Sequence, residues 1–196
     1  MPRLWITLLA LPLTLGAENV REIFRNEKVA VTERIIPAAS TTPLHRHPPG
    51  VVVAMADSAS RRRGQVSFAE PQEHTAANPG ATEVRNIRVD FLTAGRPGEA
   101  PWGAAGLSPN YKLLIENRYA RVYEVRIPAG TKEPQHTHKD RVVVCLSGAQ
   151  LEHLLPDGRT EPSTLQTNEV AWRRGGTHIG QNLGKTDLWV IAIEPK

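Results

Sequence analysis

A single cysteine, Cys145, occurs among the 196 residues, so the chain has no internal disulfide framework and no CxxC zinc ribbon or redox pair. It sits in an apolar run, which marks it as a buried structural thiol. Aromatic residues make up only 5%. None of them interleaves with the one dense basic run, Arg61, Arg62 and Arg63. With a net charge of only +4, that run reads as a solvated loop, and no nucleic-acid partner is expected. Beyond the first seventeen residues no apolar segment approaches the roughly 20 residues a membrane span needs. A hydrophobic content of 40% is that of an ordinary globular chain. Its length allows one domain or two small ones.

The leader "MPRLWITLLALPLTLGA" has a positive Arg3, an apolar stretch from Leu4 to Leu15, and small residues at Gly16 and Ala17. This is the layout of a secretory signal peptide, residues 1–17, and it predicts a secreted or periplasmic protein whose mature chain begins at Glu18. Leu15 is a poor residue two places before that cleavage point, and an uncleaved or lipid-associated anchor is the alternative. After cleavage no stable membrane span remains.

The chain repeats itself. Laying "NEKVAVTERIIPAASTTPLHRH" (26–47) over "NRYARVYEVRIPAGTKEPQHTH" (117–138) matches Asn26 to Asn117, Glu33 to Glu124, Pro37 to Pro128 and Pro43 to Pro134 without a gap. His45 falls on His136, His47 on His138, and "VVVAM" on "VVVCL". After a gap the match resumes, with His74, Asn78 and Gly80 over His178, Asn182 and Gly184. The second copy is longer by the stretch "LEHLLPDGRTEPS", whose Asp157-Gly158 is a hairpin signal. Six of the seven histidines thus occupy matched positions, and only His153 stands outside. Independent scatter explains one such residue but not three matched pairs.

Short segments rich in valine, isoleucine and aromatics, such as "ARVYEVRIP", "RVVVCLSG" and "TDLWVIAIE", are bounded by glycine, proline or Asp-Gly turns. They predict strands throughout, in a sandwich or barrel. Between the copies "LTAGRPGEAPWGAAGLSPN" (92–110) reads as a Gly/Pro-rich linker, with Trp102 packing back on one domain. On a strand, His136 and His138 of "HTH" point to one face and could share an ion.

Two stretches of the second copy resemble the paired motifs of the cupins, and their recurrence resembles the two-domain bicupins. "GTKEPQHTHKDRVVVCLSG" (130–148) is similar to the first motif, with Gly130 five residues before the HxH pair and Gly148 closing it. "NEVAWRRGGTHIGQN" (168–182) is similar to the second, with Asn168 where glycine is usual. The resemblance implies an all-β protein of two tandem cupin-type jelly-roll β-barrels. The first, over 18–91, is shorter and more degenerate; the second occupies 111–196.

It also implies a divalent metal ion (Fe, Mn, Zn or Ni) held by His136, His138 and His178. His45, His47 and His74 would form a secondary or vestigial site. The family's glutamate ligand is missing, since its place is taken by Arg141 in the second copy and Gly50 in the first. Arg141 either faces outward or clamps a substrate anion. Glu133 and Glu152, the nearest acids, read as solvated charges. Trp172 and Trp189 read as core or pocket wall.

Two functions follow from the resemblance. One is a metal-dependent oxygenase or isomerase acting on a small polar substrate. The other is a non-catalytic cupin that binds a metal or small-molecule ligand. Exposed sheet edges would also suit a homo-oligomer.

Overall fold

The computed structural model describes residues 14–16, 18–95 and 108–196. Most of the leader 1–17 and the central part of the linker 92–110, including Trp102, lie outside the described residues. The described residues are all strand and turn. Each copy contributes a five-stranded sheet with the same strand order. In the first copy the order is Asn19–Arg25, Val29–Ile36, Val84–Phe91, Gly50–Ala54 and Val66–Ala69. In the second it is Tyr111–Glu116, Ala120–Ile127, Leu188–Pro195, Arg141–Ser147 and Val170–Arg173.

The run from Val142 to Leu146 has no polar alternation because both faces of its strand are covered. Val142, Val144 and Leu146 pack in a core that also holds Val29, Val51 and Val89 of the first copy. Val143 and Cys145 face the other way, into the second barrel, with Tyr123, Val125 and Val190. The two five-stranded sheets therefore pack against each other, and each turns its opposite face to its own barrel interior.

The second copy closes its barrel with a four-stranded sheet ordered His136–His138, Gly176–Asn182, Ala149–Leu154 and Thr160–Leu165. The last two strands form the Asp157-Gly158 hairpin, in which Gly158 has φ 84° and Leu155 N–H donates to the Arg159 carbonyl. Among the described residues of the first copy no such hairpin occurs. There His45–His47 pairs with Gln72–His74, and Ser40–Thr41 lies between Thr14–Leu15 and Ala77–Asn78.

The matched asparagines do matched work. Asn26 Oδ1 accepts from the N–H groups of Lys28 and Val29, as Asn117 Oδ1 does from Tyr119 and Ala120. Asn78 Nδ2 donates to the carbonyls of Ile36, Pro37 and Thr82, and Asn182 Nδ2 to those of Ile127 and Thr186. Each thus ties a strand end to the loop beside it.

Gly130 has φ 72°, a conformation glycine adopts without cost. Its counterpart Ala39 has φ 48°. Ala39→Gly is expected to raise the stability of the chain by about 0.5–1 kcal/mol, and Gly130→Ala to lower it by a similar amount. A Cβ at Gly130 would meet nothing within 4 Å, so the second effect is purely conformational. Urea unfolding of the two variants checks both signs. Asn168, at the usual glycine position, has φ 69°, which asparagine tolerates better than most residues.

The basic run differs from a solvated loop. Arg62 is exposed, but Arg61 and Arg63 are half-buried. Arg63 reaches across to the second copy, donating to the Leu146 carbonyl at 2.5 Å and lying 5.8 Å from the Trp189 ring centroid. Its reach from a loop of one copy to a strand of the other is a tertiary contact that charge clustering does not reveal.

Candidate metal centre

His136 and His138 lie on one face of a three-residue strand whose partner carries His178, directly opposite His136. Strand alternation and this register bring the three rings together, with centroids 4.6 to 5.2 Å apart. A ligand nitrogen from each falls within 4.8 Å of the others. His136 Nδ1 lies 2.8 Å from the Pro134 carbonyl, a donor role that turns Nε2 inward as an acceptor. Nε2 of His136 and Nε2 of His138 are 2.9 Å apart. Tyr111 Oη is 3.0 Å from His138 Nε2.

Burial keeps all three imidazoles neutral. It is the largest cause of each lowered pKa, and His178 is brought down to about 3, with His153 and His136 adding to the shift. Neutral imidazole is the form that ligates a metal.

His153, which the repeat left out, belongs here: its ring stacks on His178 at 4.4 Å and 17°. The signal for it lay in strand parity, because on Ala149–Leu154 the residues Leu151 and His153 share a face. Glu152, on the opposite face of that strand, is half-buried and lies outside the pocket.

Glu133 is not a solvated charge. Its side chain is 2% exposed, and Oε2 lies 3.9 Å from His136 Nε2. Ser108 Oγ donates to Oε1 at 2.9 Å, while Glu133 N–H donates to the Gly180 carbonyl at 2.8 Å. A Cβ on Gly180 would come within 2.6 Å of Glu133 Oε2, so glycine leaves the room the carboxylate occupies. Burial pushes its pKa up to about 7, against the lowering effects of Ser108 and Arg141. Residues 133–135 are irregular, so no periodicity in the sequence could have aimed this side chain.

Arg141 does not face outward. It shares strand parity with Val143 and Cys145 and lines the same cavity of about 400 Å³ as His138, His178 and Glu133. Its Nη1 makes long contacts, to the carbonyls of Lys139 at 3.4 Å and Arg174 at 3.3 Å. The opposite wall is apolar, with Val125, Ile127, Leu151 and Val190. Gly175 is required by proximity, since a Cβ there would meet the His138 carbonyl at 2.6 Å.

The donor set fits a divalent ion. Three imidazoles bring their nitrogens close enough to share one ion, and the buried Glu133 carboxylate lies 3.9 Å from one of them, beside the triad. The first copy repeats only the imidazoles. His45, His47 and His74 come together with centroids 4.7 to 5.4 Å apart, and His45 Nδ1 sits 2.7 Å from the Pro43 carbonyl. Thr42 stands in place of Glu133, Ala76 in place of Gly180 and Gly50 in place of Arg141. The Thr42 hydroxyl accepts from Ala76 N–H at 2.8 Å.

Two tandem jelly-roll barrels, each carrying a histidine triad at the same interior position, give the chain the fold of two-domain cupins. AerE from Microcystis aeruginosa superposes with a TM-score of 0.62 over 93% of this chain and 99% of its own, at 13% identity. A mutant salicylate 1,2-dioxygenase from Pseudoaminobacter salicylatoxidans, in complex with gentisate, gives 0.62 over 94% and 76% at 11% identity. An oxalate decarboxylase gives 0.61 over 95% and 75% at 13% identity. At these identities the likeness is one of fold. No protein-family model matches the chain, and no curated protein matches it.

Proposed function

We propose that the C-terminal barrel is a metal-dependent enzyme centre, of oxygenase type, acting on a small carboxylate-bearing substrate. One observation carries this reading: a buried carboxylate, Glu133, and an inward guanidinium, Arg141, share a cavity with His138 and His178, whose rings meet that of His136. His136, His138 and His178 would hold the ion, with Glu133 beside them. A bound divalent ion would supply Lewis-acid polarisation of a substrate oxygen.

The chain's own groups do the rest. Arg141 receives the substrate carboxylate in a charge-assisted pair and fixes its orientation. The apolar wall of Val125, Ile127 and Leu151 excludes water from the substrate body. Burial holds the Tyr111 phenol protonated, leaving its hydroxyl as a hydrogen-bond donor. Glu133 Oε2 can accept or return a proton near neutral pH. Small carboxylates are also what two fold neighbours are named for, salicylate and oxalate. The leader supports an exported enzyme.

Tag-free protein is expected to carry close to one equivalent of divalent metal per chain by elemental analysis. After reconstitution with ferrous iron it should consume oxygen with salicylate, gentisate or oxalate as trial substrates, and Arg141→Ala should raise KM more than it lowers kcat. Metal retained without turnover of any carboxylate would leave a non-catalytic metal-binding cupin. Absence of metal would remove both readings.

A further inference from the structure

The interior of the N-terminal barrel is not a degraded copy of its partner's. The residues that form the apolar wall of the second barrel, Tyr123, Val125, Val190 and Ala192, are replaced at matched positions by Thr32, Arg34, Asn86 and Arg88. These four form two adjacent cross-strand pairs, Thr32 opposite Arg88 and Arg34 opposite Asn86. Arg34, Asn86 and Arg88 line a cavity of about 570 Å³ that also contains His45, His47 and His74.

The guanidinium has changed strands between the copies. Arg141 and Ala192 in the second barrel correspond to Gly50 and Arg88 in the first. A Cβ at Gly50 would approach Arg88 Nη2 at 3.1 Å and Asp90 Oδ1 at 2.9 Å, so loss of the side chain at position 50 makes room for the arginine at 88. An interior arginine is thus present in both barrels by different routes, which random loss of a site does not produce.

The charges nearly balance. Arg34 Nη1 is 2.9 Å from Glu18, and Arg88 Nε is 2.6 Å from Asp90. Arg61, on the cavity rim, donates to the Ser67 hydroxyl at 3.0 Å and, among the described residues, is the lining cation with no carboxylate bonded to it. Glu70, also lining, is exposed. Thr32 Oγ1, Arg34 Nε and Asn86 Oδ1 are buried with no hydrogen-bond partner among the described residues. Unpaired polar atoms of this kind are costly in a barrel and call for a solute that offers both donors and acceptors.

We infer that the N-terminal barrel is a separate binding site for a small hydroxylated monocarboxylate. Its carboxylate meets Arg61 and the rim, and its hydroxyls meet Arg34, Asn86 and the histidine face. Arg61, the lining cation with no carboxylate bonded to it among the described residues, fits one negative charge; the orphan Arg34 Nε and Asn86 Oδ1 fit hydroxyls, and the volume fits a molecule of sugar-acid size.

The test uses the full chain in excess EDTA, with gluconate, acetate and inorganic phosphate as probes in titration calorimetry. Gluconate is expected to bind once per chain and at least tenfold more tightly than acetate or phosphate. Arg61→Ala and Asn86→Val should each weaken it at least tenfold. The valine is the residue the folded second barrel carries at that position, and thermal unfolding of both variants verifies that they fold. His136→Ala/His178→Ala should leave gluconate binding unchanged, which separates this inference from the metal centre of the other barrel. The inference is overturned if no gluconate binds, if both folded N-terminal variants bind like wild type, or if the His136/His178 variant alone loses binding.

Discussion

Protein carrying His136→Ala and His178→Ala together is expected to lose divalent metal from the C-terminal barrel, with affinity lowered by more than about a hundredfold. The two histidines face each other across one strand pair, so removing both opens one whole side of the cluster. His138 and Glu133 would remain, and two donors leave an ion largely to water. Competition against a chromophoric chelator measures the loss, and near-ultraviolet circular dichroism checks the fold. Glu133→Gln is the graded control. It keeps the volume and an acceptor for Ser108 but removes the charge, and affinity should fall about tenfold. An unchanged affinity would make Glu133 a spectator. A full equivalent of metal retained by the double histidine variant would place the ion at His45, His47 and His74.

Asn182→Ala is expected to cost about 3 kcal/mol of unfolding free energy. Its fully buried amide serves the carbonyls of Ile127 and Thr186 and the N–H of Gly184, and alanine leaves all three backbone groups without that partner. For a chain of this length the midpoint should drop by roughly 6–12 °C. Asn78→Ala, the matched change, should cost a similar amount, since Asn78 holds Ile36, Pro37, Thr82 and Gly80 in the same way. The barrels share one core, so either change should shift a single transition instead of splitting it in two. A loss under about 1 kcal/mol, read by denaturant titration, would mean that water replaces the amide and that these asparagines are not the braces of their loops.

Self-comparison of the residues already contained the doubled barrel, the three matched histidine pairs and the Asp157-Gly158 hairpin. Each is a local pattern: a repeat keeps its order along the chain, and an HxH pair on a strand shares a face whatever the strand packs against. Those patterns also showed that the usual glutamate was absent. They could not show that a buried carboxylate lies beside the triad. Glu133 lies in irregular backbone, and only the approach of Gly180 from a strand distant in sequence aims it at His136.

Arg141 was undecidable for a related reason. Its strand is apolar on both faces, so alternation named no inner side until the other copy's sheet covered Val142 and Val144 and left Val143, with Arg141, facing the cavity. His153 joined the site through a hairpin that has no twin, beyond the reach of any repeat. The polar interior of the first barrel needed the same step, because Thr32, Arg34, Asn86 and Arg88 read along the chain as ordinary polar strand residues. Local order along the chain therefore established the fold and the histidines. Folding settled which charges accompany them, because facing is decided by whatever covers the opposite side of each strand.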